Sequence, residues 1–97
     1  MSVPRLTEIL EDNLGSGWKS EKIEAGGEET ITVKTSAGIV AMLYVTSAQN
    51  VTLKDDTTEM WGAVNNTTVD WSGCPIQCNT SIKLSFGAAA DAWIVYK

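Results

Sequence analysis

The sequence predicts an all-β domain: an antiparallel β-sandwich or small barrel, jelly-roll-like or Greek-key, preceded by a short N-terminal helical arm. Three observations carry this expectation. From Trp18 onward, short segments such as Thr30-Ile31-Thr32-Val33-Lys34 and Asn50-Val51-Thr52-Leu53-Lys54 alternate polar and apolar residues, the period-two pattern of half-buried strands. Turn formers separate these segments at Gly26-Gly27, Ser36 to Gly38, Asp55-Asp56 and Asn65-Asn66, residues that lower the cost of reversing the chain. No helical periodicity lies between the segments, which selects a sandwich or barrel over an alternating α/β arrangement.

Taken in order, the chain divides into an arm, residues 1–17, and a β-domain, residues 18–97. In the arm, Leu6, Ile9, Leu10 and Leu14 follow helical spacing, Pro4 suits a first helical turn, and Gly15 suits a stop. A helix of about three turns is marginal alone in water, so this segment is expected to lie against its own domain or another subunit. Gly15-Ser16-Gly17 reads as a hinge. Strands are expected over residues 18–25, 29–35, 38–47, 50–54, 58–64, 67–71, 74–78, 80–86 and 90–96. Two of them depart from alternation. Gly38 to Val45 is apolar on both parities, and so is the last strand, with Ala92, Ile94 and Tyr96 on one side and Trp93 and Val95 on the other. A strand apolar on both faces lies inside a thick core or meets another chain. For so short a chain a partner is the better of those two, while scattered exposed apolar residues are the plainer alternative.

With 97 residues the chain is one domain, burying roughly 60–70% of its unfolded surface. Twelve acidic residues against seven basic give a net charge of -5. Nucleic-acid binding needs clustered lysine and arginine, and here the basic residues are scattered. The sequence contains no histidine, which removes the usual general base near neutral pH and the commonest metal ligand. The opening residues contain no long apolar run, so neither a signal peptide nor a membrane span is expected. The Asn-x-Ser/Thr triplets at Asn50, Asn65, Asn66 and Asn79 are then a by-product of Thr- and Asn-rich turns.

Four candidate sites deserve weighing. Both cysteines fall in Cys74-Pro75-Ile76-Gln77-Cys78. As a strand this puts their Cα atoms about 13 Å apart at about 3.3 Å per residue, beyond disulfide reach, and two thiols alone do not complete a zinc site. Cys74, Ile76, Cys78, Thr80, Ile82, Leu84 and Phe86 share one parity, so both cysteines are expected reduced and in the core. Residues 74–86 as one strand would span about 40 Å, too long for this domain, so a bend near Asn79-Thr80 is expected. Asp55-Asp56-Thr57-Thr58-Glu59 lacks the spacing of a calcium loop and reads as a hairpin loop with solvated charges, as does Glu28-Glu29. Trp18, Trp61 and Trp71 keep open a carbohydrate- or receptor-binding module. Core packing is expected for Trp61, and a more open position for Trp18.

The segment NVTLKDDTTEMWG, followed by CPIQCNTSIKLSFGAAADAWIVYK, resembles small β-sandwich capsid decoration (cement) and head-associated proteins of tailed bacteriophages. The similarity covers about residues 50–97 and rests on core and turn residues: a Val-x-Leu-x-Asp strand and turn, a Trp on the next strand, and a final A-x-A-x-I-V-Y strand. The paired cysteines are not part of that pattern. The resemblance implies a non-enzymatic virion structural protein on the capsid surface, made in the host cytoplasm and not secreted. It implies a homo-oligomer, a trimer favoured, bridging subunits of a major capsid protein, with no cofactor or metal and no catalytic residue. Leu6, Ile9, Leu10, Leu14 and Trp18 become the candidates for gripping a partner, and Tyr44, Trp93 and Val95 those for a subunit interface. The alternative is a carbohydrate- or receptor-binding module of a phage fibre.

Overall fold

In the computed structural model, residues 17–46, 50–65 and 67–97 are described here, Ala63 by its backbone alone. The expected helical arm, with Leu6, Ile9, Leu10 and Leu14, lies outside the described residues. The described chain is all-β. Nine strands follow one another: β1 (Lys19–Ala25), β2 (Glu29–Lys34), β3 (Gly38–Val45), β4 (Val51–Asp55), β5 (Thr58–Val64), β6 (Thr67–Asp70), β7 (Ile76–Cys78), β8 (Ile82–Phe86) and β9 (Ala90–Tyr96).

The strands form two antiparallel sheets. Sheet A runs β1-β9-β3-β6, with β7 pairing along the same edge of β3, and sheet B runs β2-β8-β4-β5. One ribbon is β1 and β2 lying antiparallel to β9 and β8. The other is β3 and β4 lying antiparallel to β6 and β5. The two ribbons meet where β3 pairs β9 and β4 pairs β8. Leu43, Val45, Ala92 and Ile94 of sheet A and Val51, Leu53, Leu84 and Phe86 of sheet B share a single apolar core. Removing that apolar surface from water is the main stabilising term.

The apolar parities of β3 have a local cause. Between Val40 and Met42 the register with β9 slips, so Val40 pairs with Tyr96 and Met42 with Val95. Ala41 is the extra residue of this β-bulge, which turns the alternation over. Val40 and Leu43 face the core, whereas Ala41 and Met42 join a separate apolar cluster on the other side of the sheet. At the start of β3, Gly38 is required by close packing. A Cβ there would lie 2.7 Å from the Lys97 carbonyl oxygen and 2.8 Å from Ile82 Cδ1.

Several sequence expectations need correction. Cys74 does not enter the core: it is exposed, and only Cys78 is buried. The strand starts at Ile76 because the Cys74 N–H donates to the Trp71 carbonyl, 2.9 Å, in a turn, and Pro75 has no N–H for a ladder. The expected bend at Asn79-Thr80 is real: the chain leaves sheet A after Cys78 and enters sheet B at Ile82. Thr80 is exposed there, not inward. Trp61, expected in the core, is 44% exposed, because β5 is the edge of sheet B.

Candidate functional site

Sheet A has an outer face as well as a core face, and the register assigns its residues. Lys22 of β1 pairs with Trp93 of β9, Trp93 with Tyr44 of β3, and Tyr44 with Thr68 of β6. These four positions make one row across the sheet, opposite to the parity of Ile23, Ile94 and Leu43. The adjoining row is Ser20, Val95, Met42 and Asp70. On its other flank Glu24 pairs with Asp91.

The second row is closed by the chain itself. Trp18 packs with Ala41, Met42, Val95 and Ile39, and the Lys97 ammonium sits 5.5 Å from its ring centroid. The expectation that Trp18 is open for a partner is therefore corrected: it is 6% exposed. Val95 was expected at a subunit interface, yet it is fully buried within its own chain. Large apolar groups beside one another bury most area when one folds over the other, and β1 begins next to Val95, which brings Trp18 within reach.

The first row stays open. Tyr44 is 38% exposed, Trp93 is half-buried and Thr68 is exposed. Lys22 lies over the Trp93 ring at 5.9 Å and forms ion pairs with Glu24, 3.1 Å, and Asp91, 3.8 Å. Those carboxylates, Glu24 first, raise the Lys22 pKa above the ordinary lysine value. Sequence reasoning singled out Tyr44 and Trp93, and the fold brings them together as register partners. It missed Lys22 and Thr68, whose place depends on which strands are neighbours.

Two other clusters are structural. The Asp55 carboxylate accepts backbone N–H groups of Asn79, Thr80 and Ser81 at 2.8, 2.9 and 3.1 Å. These bonds, that from Asn79 first, hold its pKa below the usual aspartate value. Asp56, at φ 54°, donates its N–H to Ser81 Oγ, 3.1 Å, and pairs with Lys83, 3.1 Å. The turn thus ties the β4–β5 hairpin to the sheet-crossing segment. The expectation of merely solvated charges is corrected for Asp55. An open cleft of about 260 Å³ beside it is lined by Thr32, Thr35, Asp56, Thr80, Ser81 and Lys83. Across the β1–β9 pair, the Tyr96 hydroxyl donates to Glu21, 2.9 Å. Burial, then that bond, pushes its pKa up to about 12. Burial likewise pushes the Cys78 thiol up to about 11.

The remaining aromatic pair is Trp61 and Trp71, edge to face with centroids 5.4 Å apart and planes at 73°. Trp71 is 7% exposed and holds its neighbour at the rim of sheet B. No group of three or more His, Cys, Asp or Glu side chains placed to hold a metal ion occurs among the described residues. No family model, no curated protein and no solved structure matches the chain.

Proposed function

We propose that this chain is a non-enzymatic virion structural protein, a capsid decoration or cement protein that stabilises a phage head by bridging coat subunits. The observation that carries the reading is the open row on sheet A, Tyr44 in register with Trp93. It is an aromatic surface at the centre of a sheet, suited to burying area against another protein. The strand orders β1-β9-β3-β6 and β2-β8-β4-β5 support it through a jelly-roll assignment, an architecture that serves capsid and lectin domains. The similarity of residues 50–97 to head-associated proteins points the same way. In this proposal the arm with Leu6, Ile9, Leu10 and Leu14 grips the shell, and Tyr44 and Trp93 form a protein contact. A trimer engages its sites at high effective concentration. Binding only the assembled shell stabilises it by mass action.

The test is co-sedimentation of the purified protein with expanded capsids that lack it. Retention, a raised capsid disruption temperature and a trimeric mass by light scattering are expected. Removing residues 2–17 is expected to abolish retention while the β-domain stays folded. A monomer that stays in the supernatant while the capsids sediment would falsify the proposal. The exposed Trp61 ring favours a second reading, a carbohydrate-binding module. Tryptophan fluorescence that no sugar shifts, in the whole protein and in Trp61→Ala, rules that reading out.

A further inference from the structure

We infer that the open aromatic row of sheet A docks a cationic segment of a different protein, one carrying arginine or lysine among apolar residues. The inference rests on this face being a docking surface, not on the partner being a coat protein. The face already shows the chemistry it selects. Of its three large aromatic rings, Trp18 has Lys97 above it and Trp93 has Lys22 above it. Aromatic ring faces attract cations through their quadrupole. Tyr44, the most open of the three at 38%, has no such cation among the described residues. A partner's arginine or lysine over Tyr44 completes the row.

Charge complementarity separates this occupant from two others. The face is rimmed by three carboxylates, Glu24, Asp70 and Asp91, against two ammonium groups: Lys22, which lies over Trp93 and is shared between Glu24 and Asp91, and Lys97 over Trp18. The whole chain carries -5, so a second copy brings like charge. The N-terminal segment carries Arg5 against Glu8, Glu11 and Asp12, again like charge. A cationic segment meets the acidic rim with opposite charge and supplies the missing ring contact. Such complementarity speeds encounter and rejects acidic competitors.

The probe is a short peptide alternating arginine with leucine, with its glutamate-for-arginine counterpart as control, titrated into the full chain. Indole N–H resonances report the tryptophans separately. The arginine peptide is expected to shift the Trp93 resonance, leave that of Trp61 in place and bind more weakly as salt rises. The counterpart is expected not to bind. Tyr44→Ser, a change at an open position, is expected to weaken binding about tenfold with the fold intact. Three outcomes overturn the inference. Binding unaltered by Tyr44→Ser means diffuse attraction to an acidic chain. A Trp93 resonance that moves when residues 2–16 are removed, without peptide, means the arm occupies the face. Self-association abolished by Tyr44→Ser means a second copy does. Failure to bind capsids leaves each of these readouts intact, so the two proposals fail separately.

Discussion

The outer faces of the two sheets differ sharply although both sheets serve one core. On sheet B the outward rows are Thr30, Ser85 and Thr52, then Thr32, Lys83, Lys54 and Glu59. Its hydroxyls and lysines face water, and Thr30 Oγ1 reaches Ser85 Oγ at 3.4 Å. On sheet A the corresponding rows hold Met42 with Val95 and Tyr44 with Trp93. Folding satisfies the inner faces of both, so residues that folding alone requires are found inward on either sheet. The outward apolar residues of sheet A need a second explanation. Half of that explanation is internal, since Trp18 covers Val95 and Met42. The other half is the open row, to which the proposed function is assigned.

The largest effects should show that the inner faces are equivalent. Leu43→Ala in sheet A and Leu84→Ala in sheet B, both fully buried, are each expected to cost about 2–5 kcal/mol. Urea unfolding checks this; a neutral result for either would break the single-core description. The outer faces should then diverge. Trp18→Ala uncovers Val95 and Met42 and is expected to cost about 3 kcal/mol, whereas Thr52→Val on sheet B is expected to stay within about 0.5 kcal/mol. Equal losses from the two would remove the asymmetry between the sheets.

The pH dependence probes the joint between the sheets. Asp55 is held below the ordinary aspartate value by backbone donors, so the unfolded chain takes up its proton more readily than the folded one. Its stabilising contribution is complete above about pH 4 and is lost as the pH falls below that. Asp55→Asn is expected to flatten the acid side of the stability profile, measured by thermal unfolding at successive pH values. An unchanged acid slope would show that the tether contributes nothing. The smallest effect is chemical. A thiol reagent at pH 8 is expected to label Cys74 alone in the native protein and both cysteines after unfolding. The Cys78 thiol is buried with its pKa near 11, and the thiolate is the reactive form. Rapid native labelling of both would mean that the β7 edge opens.

Much of the β-architecture was legible because strand and turn chemistry is local. The alternation of Thr30 to Lys34 and of Asn50 to Lys54 reappears as β2 and β4, and the expected turn is present one residue later than Asp55-Asp56, at Asp56-Thr57, with Asp55 closing β4. The shared parity of Cys78, Ile82, Leu84 and Phe86 also survived, with the sheet crossing at residues 79–81. What misled was parity extended beyond its strand. Cys74 and Thr80 share the inward parity, yet each lies outside the ladder and is exposed. Trp61 misled differently: its size suggested the core, but an edge strand leaves one flank uncovered.

For the candidate site, residue order alone shows which strands carry apolar residues on both parities, hence that Tyr44 and Trp93 need an account. Side-chain periodicity is a property of each strand alone, so it can be read without knowing the fold. That β3 and β9 are neighbours, that a bulge at Ala41 splits β3 between two clusters, and that Trp18 closes over Val95 while Tyr44 stays open are outcomes of the folded arrangement. Those outcomes depend on pairings between residues about fifty or more positions apart in the chain. Strand periodicity specifies which face a residue takes, but not which strand it will face.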